Sequence, residues 1–244
     1  MQTTNPVLSR PFMDDSSQTK ATTSHLINLL VMILLSAAVG LGVALVFIAQ
    51  PQDLKDIGGY GLATKADTNW NMKTVLQSAL DRNQPLTLTE RHINQWLSRT
   101  LVTKQAGLLA GIVSLERLWV RLEDGHAEVI MERRILGQPF TVSMFLKVVQ
   151  TQGPKGVLTQ VQLQGGRYLA SLPQPPRGGR FGTLVVPQGF MLLVLPAYQK
   201  LIPLFHDEIH LGFEEMARIQ ITKGRLILDP REPSRQPARA PGTF

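Results

Sequence analysis

One run, "HLINLLVMILLSAAVGLGVALVFIAQ" at residues 25–50, limits this chain more than any other feature. Between Leu26 and Ala49 there is no Asp, Glu, Lys or Arg, and the clearly polar residues are Asn28 and Ser36. About 20 apolar residues in a helix cross the hydrocarbon core of a bilayer. The apolar part of a cleaved signal is shorter, roughly 7–15 residues, and ends in a small-x-small site. Here the run exits through Phe47, Ile48, Ala49 and Gln50, and Phe47 breaks that pattern. The chain has no Cys, so no lipid is attached through one. The run is expected to remain as a membrane anchor, since a helix in a soluble core usually keeps one polar stripe.

Orientation rests on few charges. Arg10 and Lys20 precede the run; Lys55, and further on Lys65, follow it. Lys and Arg favour the cytoplasmic side, and the balance here is nearly even. The usual single-anchor arrangement places the short N-terminal tail inside and the long C-terminal part outside. An outer domain without Cys holds together without disulfides. The formal net charge of +7 lies wholly after residue 50, because the charges before it cancel. Such a surplus suits an anionic lipid surface, an acidic polymer, or simply a solvated basic surface.

Residues 1–24 have no apolar period and are expected to be a disordered tail. Residues 51–68, with Gly58, Gly59 and Gly61, suggest a stalk. The folded domain is expected over 69–229, and 230–244 as a disordered, Pro-rich basic tail. Within the domain, Met72, Val75, Leu76 and Leu80 share a helical face over 70–82. In "LTLTERHINQWLSRTL", Thr89 is a good N-cap, Leu88 and Ile93 occupy staple positions, and Ile93, Trp96, Leu97 and Leu101 form a stripe.

From about residue 113 the period becomes two. Leu118, Val120 and Leu122 share a face, then Ala127, Val129 and Met131 after a tight turn at Asp124-Gly125. Val142, Met144, Leu146 and Val148 follow, then Val157, Val161 and Leu163. These four segments predict an antiparallel meander with one buried face. Residues 167–182 read as a Pro/Gly-rich loop carrying Arg167, Arg177 and Arg180. The apolar stretch from Phe190 to Phe205 contains Pro196 and Pro203 and suggests a kinked helix on the sheet. A last hairpin is expected around Lys223-Gly224. The fold class is therefore α+β: one N-terminal transmembrane helix, then a curved antiparallel meander packed with helices.

This order of elements, with Leu88, Thr89, Glu90, Ile93 and Asn94 opening a helix and Asp124-Gly125 and Gly137 in the turns, resembles the YpmS-like families of bacterial membrane-anchored extracytoplasmic domains. The resemblance covers roughly residues 70–230. It implies a curved sheet, a single-pass protein of the bacterial inner membrane with its C-terminal domain outside, and a role in lipid binding or envelope maintenance. It brings no catalytic residues.

Motifs for chemistry are sparse. His206 and His210 in "HDEIH" are spaced for one helix face and for a metal. Asp207 stands where a zinc-protease helix needs Glu, no third ligand is near in sequence, and His at a helix end suits the negative pole of the dipole. Ser98, Ser114, Ser143 and Ser171 lie in no nucleophile elbow. "LQGGRYL" and "RGGRFG" lack the Lys-Ser/Thr of a phosphate-binding loop, and one RGG-like copy is a thin basis for nucleic acid. His92 and His126 read as isolated and exposed. No enzyme, cofactor, metal or nucleic-acid role is expected. The expected role is binding or scaffolding: Met131, Met144 and Met191 against an acyl chain, and Arg167, Arg177 and Arg180 at a headgroup. The same apolar faces equally make a plain core. Gly40 and Ala44 have the small-xxx-small spacing that lets membrane helices pack, so membrane lipid and a membrane-protein partner are the two partner classes. An accessory subunit of a membrane complex is the alternative role.

Overall fold

The computed structural model describes residues 16–61, 70–108, 115–135, 137–153, 156–169, 171 and 175–231. The expectations for residues 1–15, for 62–68 of the stalk, for Ser114 and for the tail beyond Arg231 lie outside them. The chain divides between Val46 and Phe47 into an apolar helical unit and a folded body. Helix α1 runs Ser16–Ala49, so the segment from residue 16, expected in the disordered tail, is helical. Its part His25–Ala49 is long and apolar enough to cross a membrane, and most of its residues are exposed.

The body begins with α2, Met72–Asp81, capped by the Asn71 side chain, which accepts from the Lys73 amide at 3.0 Å. Strand β1, Leu86–Thr89, leads directly into α3, Glu90–Leu108. The Thr89 hydroxyl accepts from the His92 amide at 3.2 Å, and Leu88 and Ile93 both enter the core, as the cap and staple pattern predicts. α3 extends further than the stripe suggests, and β1 was not foreseen.

The meander is present as β2 (Leu115–Glu123), β3 (His126–Ile135), β4 (Gln138–Gly153) and β5 (Gly156–Leu163). Asp124-Gly125 makes the first turn, pairing Glu123 with His126. Two further strands follow: β6, Arg177–Phe181, inside the stretch 167–182 expected as a loop, and β7, Leu184–Pro187, just beyond it. The sheet order is β2-β3-β4-β6-β7. β4 is long enough to serve two neighbours on one edge, with Val142–Met144 on β6 and Leu146–Gly153 on β5. A second, three-stranded sheet has the order β1-β9-β8, with β8 at Arg218–Thr222 and β9 at Arg225–Asp229 around the expected Lys223-Gly224 turn. The architecture is α+β with open antiparallel sheets.

Between β7 and β8 the expected kinked helix is a series of short pieces. A 3₁₀ turn at Gln188–Leu193, α4 at Leu195–Gln199 and a second 3₁₀ turn at Ile202–Phe205 lead into α5, His206–Ile209. Pro196 and Pro203 each sit in the first turn of a new piece, where the missing N–H costs nothing. Met191, Tyr198, Leu201 and Phe205 from this stretch join α2, α3 and the predicted inner faces of both sheets in one core. The Tyr198 hydroxyl reaches the carbonyls of Val129 and Val142 on neighbouring strands at 3.0 and 2.9 Å, and burial pushes its pKa well above the usual value.

The two sheets are joined by polar contacts. Gln150 on β4 donates to the Met216 carbonyl at 3.2 Å and accepts from the Ile219 amide at 2.7 Å. The β2–β3 and β8–β9 turns interlock, with the Gly224 amide donating to the Leu122 carbonyl at 2.9 Å and the Lys223 amide to Asp124 at 2.9 Å. At the end of β9, the buried Asp229 accepts from Arg231 at 2.8 Å, and this contact lowers its pKa from 3.8 to about 2. A depressed carboxylate contributes stability above its unfolded pKa and loses it as pH falls through the folded value. The thermal midpoint of the detergent-solubilised chain should therefore fall as pH drops from about 4 to about 2. In Asp229→Asn the midpoint should be lower at neutral pH and drop less over that window.

Candidate functional site

The face of the large sheet turned away from the main core is also covered. Residues 51–60, expected as part of a stalk, lie across it as a strap. Leu54 and Ile57 are buried against Trp119 of β2 and Ile130 of β3, and the Tyr60 ring sits 5.2 Å from that of Trp119. The stalk expectation fails here for a simple reason. The glycines that weaken helix also permit close contact, and Leu54 and Ile57 supply apolar surface to bury.

Two α3 side chains hold the strap. Glu90 accepts from the Gly58 amide with one carboxylate oxygen and from the Leu122 amide at 2.8 Å with the other. Asn94 donates to the carbonyls of Gly58 and Val120, both at 2.8 Å, and accepts from the Val120 amide at 2.7 Å. The Gln52 amide donates to Thr141 Oγ1 at 2.9 Å.

Under the strap runs a charged row. Asp56 meets Arg121 at 2.8 Å, and Arg121 meets the fully buried Glu128 at 3.0 Å. Glu128 also accepts from the Ser143 hydroxyl and faces Arg180 at 3.6 Å. Burial works against the Arg121 charge, but Glu128 and Asp56 together raise its pKa. Two guanidinium and two carboxylate groups balance one another, so the row carries no net charge. An open cleft of about 570 Å³ lies beside it, lined by Asp56, Glu90, Arg121, His126 and Lys223 among others.

The expected site residues do not form one site. Met131, Met144 and Met191 come together, but as fully packed members of the main core. Arg177 and Arg180 lie on β6 rather than in a loop, and both guanidinium groups rest over the Phe145 ring, at 5.3 and 5.6 Å. Arg177 also donates to the Gly165 carbonyl at 2.6 Å. Arg167 is exposed, its backbone bridged to Pro176. The glycine pair between Arg177 and Arg180 serves packing, because a Cβ on Gly178 or Gly179 would collide with Met191. His206 and His210 do share a side, their rings 6.5 Å apart, yet each pairs with a carboxylate: His206 with Asp207 and His210 with Glu214. Among the described residues no three His, Asp or Glu side chains converge as a metal site. Gly40 has open space around it on α1.

Arg121, Glu128 and Asp56 were not among the candidate residues. A signal was present: Trp119, Ile130 and Phe145 are large apolar residues on the face assigned to solvent, interleaved with Arg121 and Glu128. No family model, curated protein or solved structure matches the chain.

Removing one partner of a buried ion pair strands the other charge. Glu128→Ala should therefore cost about 3–5 kcal/mol in urea unfolding of the solubilised chain, since Arg180 loses its carboxylate partner and Arg121 keeps only the exposed Asp56. Glu128→Gln, which keeps the volume and an acceptor for Ser143, should cost less.

Proposed function

We propose that this chain is a single-pass membrane-anchored scaffold or docking domain, lipid-related in that it works against the bilayer surface. The observation that carries this reading is at the end of the apolar run. The Phe47 carbonyl accepts from both the amide and the hydroxyl of Thr183, at 3.1 and 3.0 Å. Gly182 beside it has φ +56, and a Cβ there would collide with the carbonyls of Phe47, Ile48 and Gln50. Residues at the exit of the run are thus part of the body's own packing, and cleavage after Ala49 would remove one of its hydrogen-bonded residues. That favours a retained anchor over a signal sequence. Packed methionines favour contact with a lipid surface over carriage of an acyl chain inside. The resemblance to the YpmS-like domains supports the bacterial inner membrane and an extracytoplasmic body. The role is binding, not catalysis: the charged groups under the strap are spent on one another.

The test is fractionation of the expressed full chain. It should stay in the membrane pellet through alkaline carbonate, keep its own N-terminus, and expose its body to protease on the outer side only. A soluble chain, or one beginning after Gln50, would remove the basis of the proposal. A second reading, an accessory subunit of a membrane complex, is favoured by the small-xxx-small spacing of Gly40 and Ala44, with open space around Gly40. On that reading, gentle detergent extraction from native membranes should give a particle larger than the lone chain, and Gly40→Leu should reduce it.

A further inference from the structure

We infer that the segment after β7 forms a second membrane contact, an apolar patch that enters the headgroup–acyl boundary of the bilayer holding the anchor. This rests on the anchored reading above and adds a named surface to it.

From Leu184 to Phe205 the chain carries a single charged side chain, Lys200, and no acidic one. The core accounts for only part of this apolar stretch. Met191, Tyr198, Leu201 and Phe205 point inward. Phe190, Leu192, Leu193 and Ile202 point outward, 54%, 70%, 76% and 53% exposed. One exposed leucine on a soluble surface needs no explanation. A segment that is apolar on its inner and outer sides alike, with Leu192 and Leu193 adjacent and no carboxylate among them, is unusual for a face that meets water.

The bilayer is selected as occupant by where this segment starts. β7 begins one residue after Thr183, which is bonded to Phe47, and the apolar run of the anchor ends at Ala49. The β6–β7 turn therefore lies where hydrocarbon gives way to headgroups. β7 has four residues, at about 3.3 Å each, so the 3₁₀ turn that carries Phe190, Leu192 and Leu193 begins within roughly 13 Å of that boundary along the strand. Apolar side chains of interfacial segments bury about 5–10 Å into the boundary, and a neighbouring lysine reaches back to anionic headgroups. Phe190, Leu192, Leu193, Ile202 and Lys200 supply that combination, with no negative charge to oppose it.

The chain lacks Cys, so single labels can be placed without background. Full-length Leu192→Cys and Leu193→Cys, each carrying an environment-sensitive fluorophore, would be reconstituted into phosphatidylcholine–phosphatidylglycerol vesicles. Val39→Cys in the anchor and Thr74→Cys on the exposed side of α2 serve as references. Labels at 192 and 193 should lose at least half their emission to acyl-chain spin-labelled lipids and resist aqueous iodide, as the label at 39 does. The label at 74 should respond only to iodide. Quenching by lipid at 39 but not at 192 or 193 overturns the patch and leaves the anchor standing. No lipid quenching at 39 overturns the anchored reading itself. Shielding at 192 and 193 in native membranes but not in pure lipid assigns the patch to a protein partner and overturns the inference as well.

Discussion

Three stretches of chain remote in sequence meet on the first turn of α3. Glu90 and Asn94 bind backbone groups of Gly58 on one side and of Val120 and Leu122 on the other. Each bond satisfies a group that burial would otherwise leave without water. A buried polar group left unpaired costs more than the bond itself contributes. The strap can cover Trp119 and Ile130 only because these two side chains accept and donate where Gly58 needs it. With the strap in place, Trp119 and Ile130 are covered, and a charged row runs from the exposed Asp56 inward to the fully buried Glu128.

That row is a poor source of net stability. Desolvating Arg121 and Glu128 offsets much of their attraction, and apolar replacements of equal volume often do as well. Its value lies in specificity. Arg121 reaches Asp56 and the Asp53 carbonyl in the strap while holding Glu128 in the sheet, and Glu128 in turn faces Arg180 on β6. A shift of one residue in any of these strands would turn its charge to the opposite face. The row therefore fixes the register of β2, β3 and β6 and the position of the strap together.

Much of the inner architecture was legible in the sequence, because alternation and the 3.6 period report directly on the face that is buried. Leu118, Leu122, Met131, Val142 and Met144 were read correctly as one face, and Thr89, Leu88 and Ile93 as the start of a helix. The elements that escaped are those whose residues answer to distant partners. β6 contains two glycines because Met191 sits against them, and no local pattern shows that. β1 exists because β9 arrives beside it. The strap was hidden by its own glycines. Arg177 and Arg180, expected at a headgroup, both rest over the Phe145 ring, and Arg180 also faces Glu128. Met131, Met144 and Met191, expected against an acyl chain, lie in the core among Leu118, Leu122, Val142 and Tyr198.

The small sheet has a consequence for the timing of biosynthesis. Leu88 pairs with Leu226, so one of its strands is made well before its partner. At a translation rate of about 5–20 residues per second, the interval is on the order of ten seconds. Throughout it, α3 and the meander have no finished edge to close against. A hydrophobic N-terminal helix would emerge long before then and reach its destination first. The remainder would complete its fold only when the last hairpin arrives to act as the clasp.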